Sequence, residues 1–256
     1  MAGHFYRSNG EFVDGAGLRE ARKENLYVSP TTILHQVWNN ESMSYWKDSE
    51  LVKACLCTPQ YPGEEIRAYI GRVKAKADTI RDGAATFGSN LHDAAEHYGT
   101  GAYCDQFIQP WLDVYAVWHE ANVKEIVSRE VTLVDHDLGC AGRTDLIYLS
   151  HQDEIVVADI KTQRVNGSGK PEVRQGWLEQ LAFYARAYQK QQSLPDMPRI
   201  QNLLINSTSP SPVVVKDWSP MEADEGWLAF KALAWVYFRS CGAQGYWPAQ
   251  GGKWSL

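Results

Sequence analysis

The chain has 256 residues, a length that suits one large domain or a catalytic core with a helical elaboration. Hydrophobic residues make up 44% and charged residues 22%, which excludes a disordered or low-complexity chain, and no apolar run is long enough to span a membrane. The net charge of −6 does not advertise nucleic-acid binding and does not exclude it, because a local basic track suffices. The amino-terminal MAGHFYRSNGEF lacks the charged-then-apolar order of a signal peptide, so the cytoplasm is the expected compartment. The five cysteines, Cys55, Cys57, Cys104, Cys140 and Cys241, are odd in number and read as free thiols. The C-x-C pair at Cys55 and Cys57 is a weak sign for zinc.

In chain order, residues 1–27 carry few hydrophobics and several glycines and read as a loosely attached lead-in. A helix follows in SPTTILHQVWNN, with Ser29 as N-cap and Pro30 at its first position. SMSYWKDSELVKACLC and EEIRAYIGRVKAKADTIRDGAATF continue as helices, their apolar residues spaced by three and four. Residues 61–83 hold Arg67, Arg72, Lys74, Lys76 and Arg81, either a solvated face or a basic wall for a phosphate backbone. FGSNLHDAAEHY is helical, with His92 and Glu96 one turn apart. QFIQPWLDVYAVWHEANV places Trp111, Tyr115 and Trp118 along one face, a core stripe rather than a base-stacking platform. Strands are predicted at 126–136, 140–149 and 154–161, a helix at 173–192, strands in RIQNLLINS and SPVVVKDWS, and a last helix in EADEGWLAFKALAWVYFRS. This order predicts a mixed α/β fold with a central mixed sheet flanked by helices, with residues 1–84 a helical region packed on a core of 85–256.

The chemistry concentrates in GRTDLIYLSHQDEIVVADIKTQ, a hairpin with Asp145 fourteen residues before Asp159 and Asp159 two before Lys161. Alternation along IVVADIK puts Asp159 and Lys161 on one face, and the hairpin returns Asp145 to the same region. Two carboxylates and an ammonium on an apolar sheet are costly unless something uses them. A divalent cation with oxygen ligands explains the acids, leaving the lysine to hold a water.

The D…DIK spacing resembles the PD-(D/E)XK nuclease superfamily. The Gly88-x-x-x-His92 helix upstream and Gln180-x-x-x-Tyr184 downstream look like its RecB-like branch. The resemblance covers roughly residues 85–206 and implies a restriction-endonuclease-like core. It implies Asp145, Asp159 and Lys161 as catalytic residues, and His92, Asp145, Asp159 and the backbone carbonyl of Ile160 as metal ligands, with Glu96 a candidate for a second ion. Glu130 opens the first strand where relatives often carry an acid, and is read as supporting the ligands. Gln180 and Tyr184 would steady the site and touch the strand. Arg164, Lys170 and Arg174 in the QRVNGSGKPEVR loop, with Arg72, Lys74 and Lys76, would grip phosphates. The implied cofactor is Mg²⁺ or Mn²⁺, one or two ions. Some relatives hold an iron–sulfur cluster with a carboxyl-terminal cysteine trio; here only Cys241 stands there, so no cluster is expected.

The expected function is a metal-dependent DNA exonuclease working from a free end in phage or cellular replication, recombination or repair, similar to phage exonucleases and the mitochondrial genome maintenance exonuclease. The expected partner is DNA as a single strand, flap or duplex end, with no membrane, in the bacterial cytoplasm or that of a phage host. Oligomeric state and protein partners stay open. The alternatives are a structure-specific endonuclease and a non-catalytic nucleic-acid-binding protein that kept the fold.

Overall fold

The computed structural model describes residues 3–38, 41–100, 105–165 and 171–242. Alternating apolar residues and tight turns fold the middle of the chain into a meander of β4 (Val123–Asp135), β5 (Cys140–Ser150) and β6 (Ile155–Gln163), paired antiparallel in chain order. The DHDLG turn is held by Asp135, which accepts from the backbone N–H groups of Asp137 and Leu138, each at 3.0 Å. β6 then pairs in parallel with β7 (Arg199–Asn206), and β7 antiparallel with β8 (Val214–Trp218). The parallel step needs a crossover, which α6 (Trp177–Gln192) supplies.

The amino-terminal segment adds β1 (Phe5–Tyr6), β2 (Phe12–Val13) and β3 (Tyr27–Val28), giving an eight-stranded mixed sheet. It is not the loosely attached lead-in that its composition suggests: Phe5, Leu26 and Val28 are at most 1% exposed and share a core with Ile147 and Val157. β4 runs the length of one edge of β5, so β3 and β6 share the other, β6 over residues 146–149 and β3 at Cys140. The fork between them frees residues 141–145 of β5 from strand pairing on that edge.

One face of the sheet is covered by α2 (Pro30–Val37), α6 and α7 (Pro220–Gly242), burying Ile33, Leu181, Phe183, Ile200, Phe230 and Phe238. The other is covered by the end of α4 (Ile66–Glu96) and by α5 (Gln109–Asn122), whose Trp111, Tyr115 and Trp118 stripe is core. Ser29 caps α2, accepting from the Thr32 N–H at 3.1 Å, with Pro30 first in the helix. The remaining helices are α1 (Leu18–Glu24) and α3 (Glu41–Leu56). The division expected between residues 84 and 85 falls inside α4, one continuous helix, and the region before it contributes strands as well as helices. Among the described residues no helix is long and apolar enough to cross a membrane.

Candidate active site

The register of the sheet lines up a row of polar residues. Leu146 faces Ala158 in the last pair before β6 leaves β5, and Asp145 and Asp159 each lie one residue beyond that pair. The β4–β5 ladder passes from Arg129↔Leu146 to Val131↔Thr144, which puts Glu130 opposite Asp145. On the far side Asp159 pairs with Asn202, and Asn202 with Lys216. Period-two alternation gives Asp145 the face of Ile147 and Asp159 that of Val157, the face covered by α6.

Asp145 sits where β6 and β3 part, and its Oδ2 accepts from the Ile160 N–H at 2.6 Å. His92 reaches it from α4, with Nδ1 3.6 Å from the same oxygen. Gly88 suits the approach: a Cβ there would lie 3.2 Å from Thr162 Oγ1, so a larger residue would make the Thr162 hydroxyl give way for α4 to press this close to β6. Ligand atoms of His92, Glu130 and Asp145 all lie within 4.8 Å of one another. Donors on opposite sides of a divalent ion at about 2.3 Å are roughly 4.6 Å apart, so the imidazole and two carboxylates fit such an ion. A cavity of about 10 Å³, roughly one water-sized sphere, is lined by His92, Glu130, Asp145 and Ile160. His92 also makes a backbone hydrogen bond with Ile160.

The electrostatics suit a cation. Burial, then the neighbouring Asp159 charge, push the Asp145 carboxyl up to about 7. Burial holds His92 below its ordinary value, so near neutral pH the ring is uncharged and keeps a lone pair for a metal. Glu130 takes its place with a positive φ of 46° and forms an ion pair with Arg143.

Asp159 is 3% exposed and does not belong to that group. Its carboxylate receives Lys161 Nζ at 2.9 Å on Oδ1 and Asn202 Nδ2 at 3.2 Å on Oδ2. Lys161 also donates to Gln180 Oε1 at 3.1 Å, and Gln180 Nε2 donates to the Tyr184 hydroxyl at 3.2 Å. Asn202, fully buried, accepts from Trp218 Nε1 at 3.0 Å. Four predicted residues, Asp159, Lys161, Gln180 and Tyr184, thus form one chain of hydrogen bonds, and His92, Asp145 and Ile160 form the adjoining cluster. Sequence reasoning gave Glu130 a supporting place and did not find Asn202. An asparagine inside the apolar strand RIQNLLINS was the signal available.

Other predicted contacts lie elsewhere. Arg72 is committed to Glu64 through Nε at 2.8 Å and Nη2 at 2.7 Å, donates to the Pro59 carbonyl at 2.9 Å, and lies 4.1 Å over the Tyr61 ring. Lys76 donates to the Cys57 carbonyl at 3.1 Å. Arg72 and Lys76 are thus engaged within the α3–α4 connection, and neither these two nor Lys74 lines the groove at the acids. Arg164 and Arg174 are exposed beyond β6, where Gln163 ties the segment at Glu172 to the strand by bonds of 3.0 and 2.6 Å. Lys170, Arg81 and the side chain of Glu96 lie outside the described residues.

The acids open onto a groove of about 1120 Å³ lined by α2, α4, β5 and α6. A neutral histidine, clustered carboxylates and a lysine held by an adjoining one, on a mixed sheet between helices, form a candidate centre for metal-assisted hydrolysis. Residues 105–229 match the model of the PD-(D/E)XK nuclease superfamily. Those residues, just under half of the chain, are similar to that superfamily, which implies nuclease activity with divalent metal, and the mixed sheet flanked by helices is consistent with its restriction-endonuclease-like fold. The matched span holds Glu130, Asp145, Asp159, Lys161 and Gln180, whereas His92 precedes it. Among solved structures, one described as "Crystal structure of SSO0001" is 15% identical, covering 74% of this chain and 86% of that one at a TM-score of 0.34. No curated protein matches the chain.

Proposed function

We propose that the protein is a metal-dependent deoxyribonuclease that hydrolyses phosphodiester bonds from a free DNA end, using Mg²⁺ or Mn²⁺ as one or two ions. The observation that carries this reading is the convergence of His92, Glu130 and Asp145 within 4.8 Å, beside the Asp159–Lys161 pair. His92, Asp145 and Glu130 would hold the ion, and Asp159 and the Ile160 carbonyl are further candidate ligands by the resemblance. Bound there, the ion would polarise the phosphodiester and lower the pKa of a water. Lys161, oriented by Asp159 and Gln180, holds its ammonium where a water or a phosphoryl oxygen can be received. Tyr184 fixes the Gln180 amide, and burial pushes its hydroxyl pKa up, so it stays a neutral partner. Exonuclease action and a role in replication, recombination or repair rest on the likeness of the Gly88–His92 and Gln180–Tyr184 helices to the RecB-like branch.

The test is incubation with end-labelled linear and covalently closed circular DNA, single- and double-stranded, with Mg²⁺, Mn²⁺ or EDTA. Shortening of linear strands from an end with metal, no reaction in EDTA, and intact circles are expected. Asp159→Ala should lower the rate by at least about 100-fold. Cleavage of circles as fast as linear strands would replace the exonuclease reading with an endonuclease. Metal-independent activity, or an Asp159→Ala variant as fast as the parent, would remove the site assignment.

A further inference from the structure

The groove has two chemically different sets of lining residues. Its carboxylates, Asp93, Glu130 and Asp145, are all on α4, β4 and β5. A second set of lining residues, His4, Thr31, His35 and Gln36 from the amino-terminal segment and Lys47 from α3, includes no carboxylate. His35 and Lys47 are exposed to the groove rather than packed into the core. The surroundings of His35 are one-sided: its pKa is lowered first by burial and then by Lys47, His4 and Lys161, all of them cationic or potentially so. Mutual repulsion without a counter-charge costs energy in the empty groove and is relieved when an anion enters.

We propose that this second set forms a subsite for a second phosphate of the bound nucleic-acid strand, received by Lys47 and His35 with the Thr31 hydroxyl and Gln36 amide as further donors. The proposal rests on the nuclease reading and adds to it a specific place for the strand. A polyanion that presents one phosphate to the acids through a metal has another to offer to these side chains of the same cavity. Arg72 and Lys76 are engaged locally and do not line this groove, whereas Lys47 of α3 does. An arriving phosphate would raise the His35 pKa and turn the ring into a charge-assisted donor.

The experiment measures binding of a fluorescent oligothymidylate by anisotropy over a salt series, with Ca²⁺ in place of Mg²⁺, for the unaltered protein, Lys47→Gln, His35→Gln and the double variant. Circular dichroism checks that each variant is folded. The double variant is expected to bind about 10-fold more weakly and to lose about 0.7 from the slope of log affinity against log salt, the value for one phosphate contact on a single strand. The KM for cleavage should rise by a similar factor, with the midpoint of the Mg²⁺ titration unmoved. Strands with a 5′-phosphate and a 5′-hydroxyl separate the two sources. A deficit confined to the phosphorylated strand assigns the subsite to a terminal phosphate, and a deficit in both assigns it to the backbone. If the unaltered protein binds DNA and the double variant matches it in affinity and salt slope, the subsite is wrong while the nuclease reading survives. If the unaltered protein neither binds nor cleaves DNA, both fall.

Discussion

At the scale of single residues, Asp145 carries the clearest consequence. Its carboxyl is pushed up to about 7 from an ordinary 3.8, so between those pH values the folded chain keeps a proton that the unfolded chain has released. Without metal, stability from this group is therefore full below about pH 4 and declines as pH rises towards 7. A divalent ion must displace that proton, so metal affinity should weaken about tenfold for each pH unit below 7. The increase in melting temperature on adding Mn²⁺ should grow from about pH 5 to about pH 8, and Asp145→Asn should remove both the increase and its pH dependence. An increment that stays flat across that range would remove Asp145 from the ligand set. Asn202 makes a second prediction. Asn202→Leu takes the amide away from Asp159 Oδ2, which keeps Lys161 Nζ at 2.8 Å, and leaves Trp218 Nε1 without its partner, at about 1–3 kcal/mol in all. With Asp159 held by Lys161 alone, cleavage at saturating metal should fall about 10- to 100-fold. An unchanged rate in a destabilised variant would make Asn202 a packing residue only.

At the scale of elements, α2 and α6 are brought onto β5 by Gly142. A Cβ there would meet Pro30 Cδ at 2.8 Å and Tyr184 Cε1 at 3.1 Å, backbone-fixed or buried atoms that cannot swing aside. Gly142→Val should cost about 1–3 kcal/mol by overpacking. It should also loosen the Gln180–Tyr184 pair, and a thermal melt superimposable on the parent's would refute the close approach. The same junction shows what the sequence made legible and where it stopped. Asp145, Asp159 and Lys161 were readable because period-two alternation fixes which residues share a face, and the Gly88–His92 spacing because a helix turn is local. The amino-terminal strands were not, since two-residue strands carry no periodicity, and they join the sheet only where β3 pairs with β5, more than a hundred residues away, with β1 and β2 added beyond it. Glu130 was hard to rank for a related reason. Its register opposite Asp145 depends on two bulges in β4, which shift the pairing by amounts no pattern of letters announces. The partners of Arg72 were not legible either, because a cation on a helix reads as free until the fold brings Glu64 and Tyr61 around it.

At the scale of the whole molecule, the amino-terminal segment and the rest of the sheet share their interior. Phe5, Leu26, Val28 and Ile33 pack in one cluster with Ile147, Val157, Phe183 and Phe230, so removing the segment would strip apolar cover from the sheet that carries the acids. The helical hairpin of α3 and the first half of α4 is different. Its own core is Ala54, Val73 and Ala77 with Tyr69 against it, closed by the Arg72–Glu64 pair and by a bond between Cys55 Sγ and the Tyr69 hydroxyl. Leu56, Ile66 and Tyr61 stay exposed there, so little apolar area is buried to oppose opening. Stability should therefore be graded along α4, high near Leu91, which is fully buried against the sheet, and low before Val73. Urea unfolding followed by circular dichroism and by tryptophan fluorescence should give one coincident transition, because β1, β3 and β5 cannot part without opening the common core. Hydrogen exchange should show amides of α3 and residues 66–77 protected at least about 100-fold less than those of β5 and β6, as expected where opening is local rather than global. Equal protection in the hairpin and the sheet, or a separate early transition of the amino-terminal strands, would show that the energy is distributed otherwise than the packing dictates.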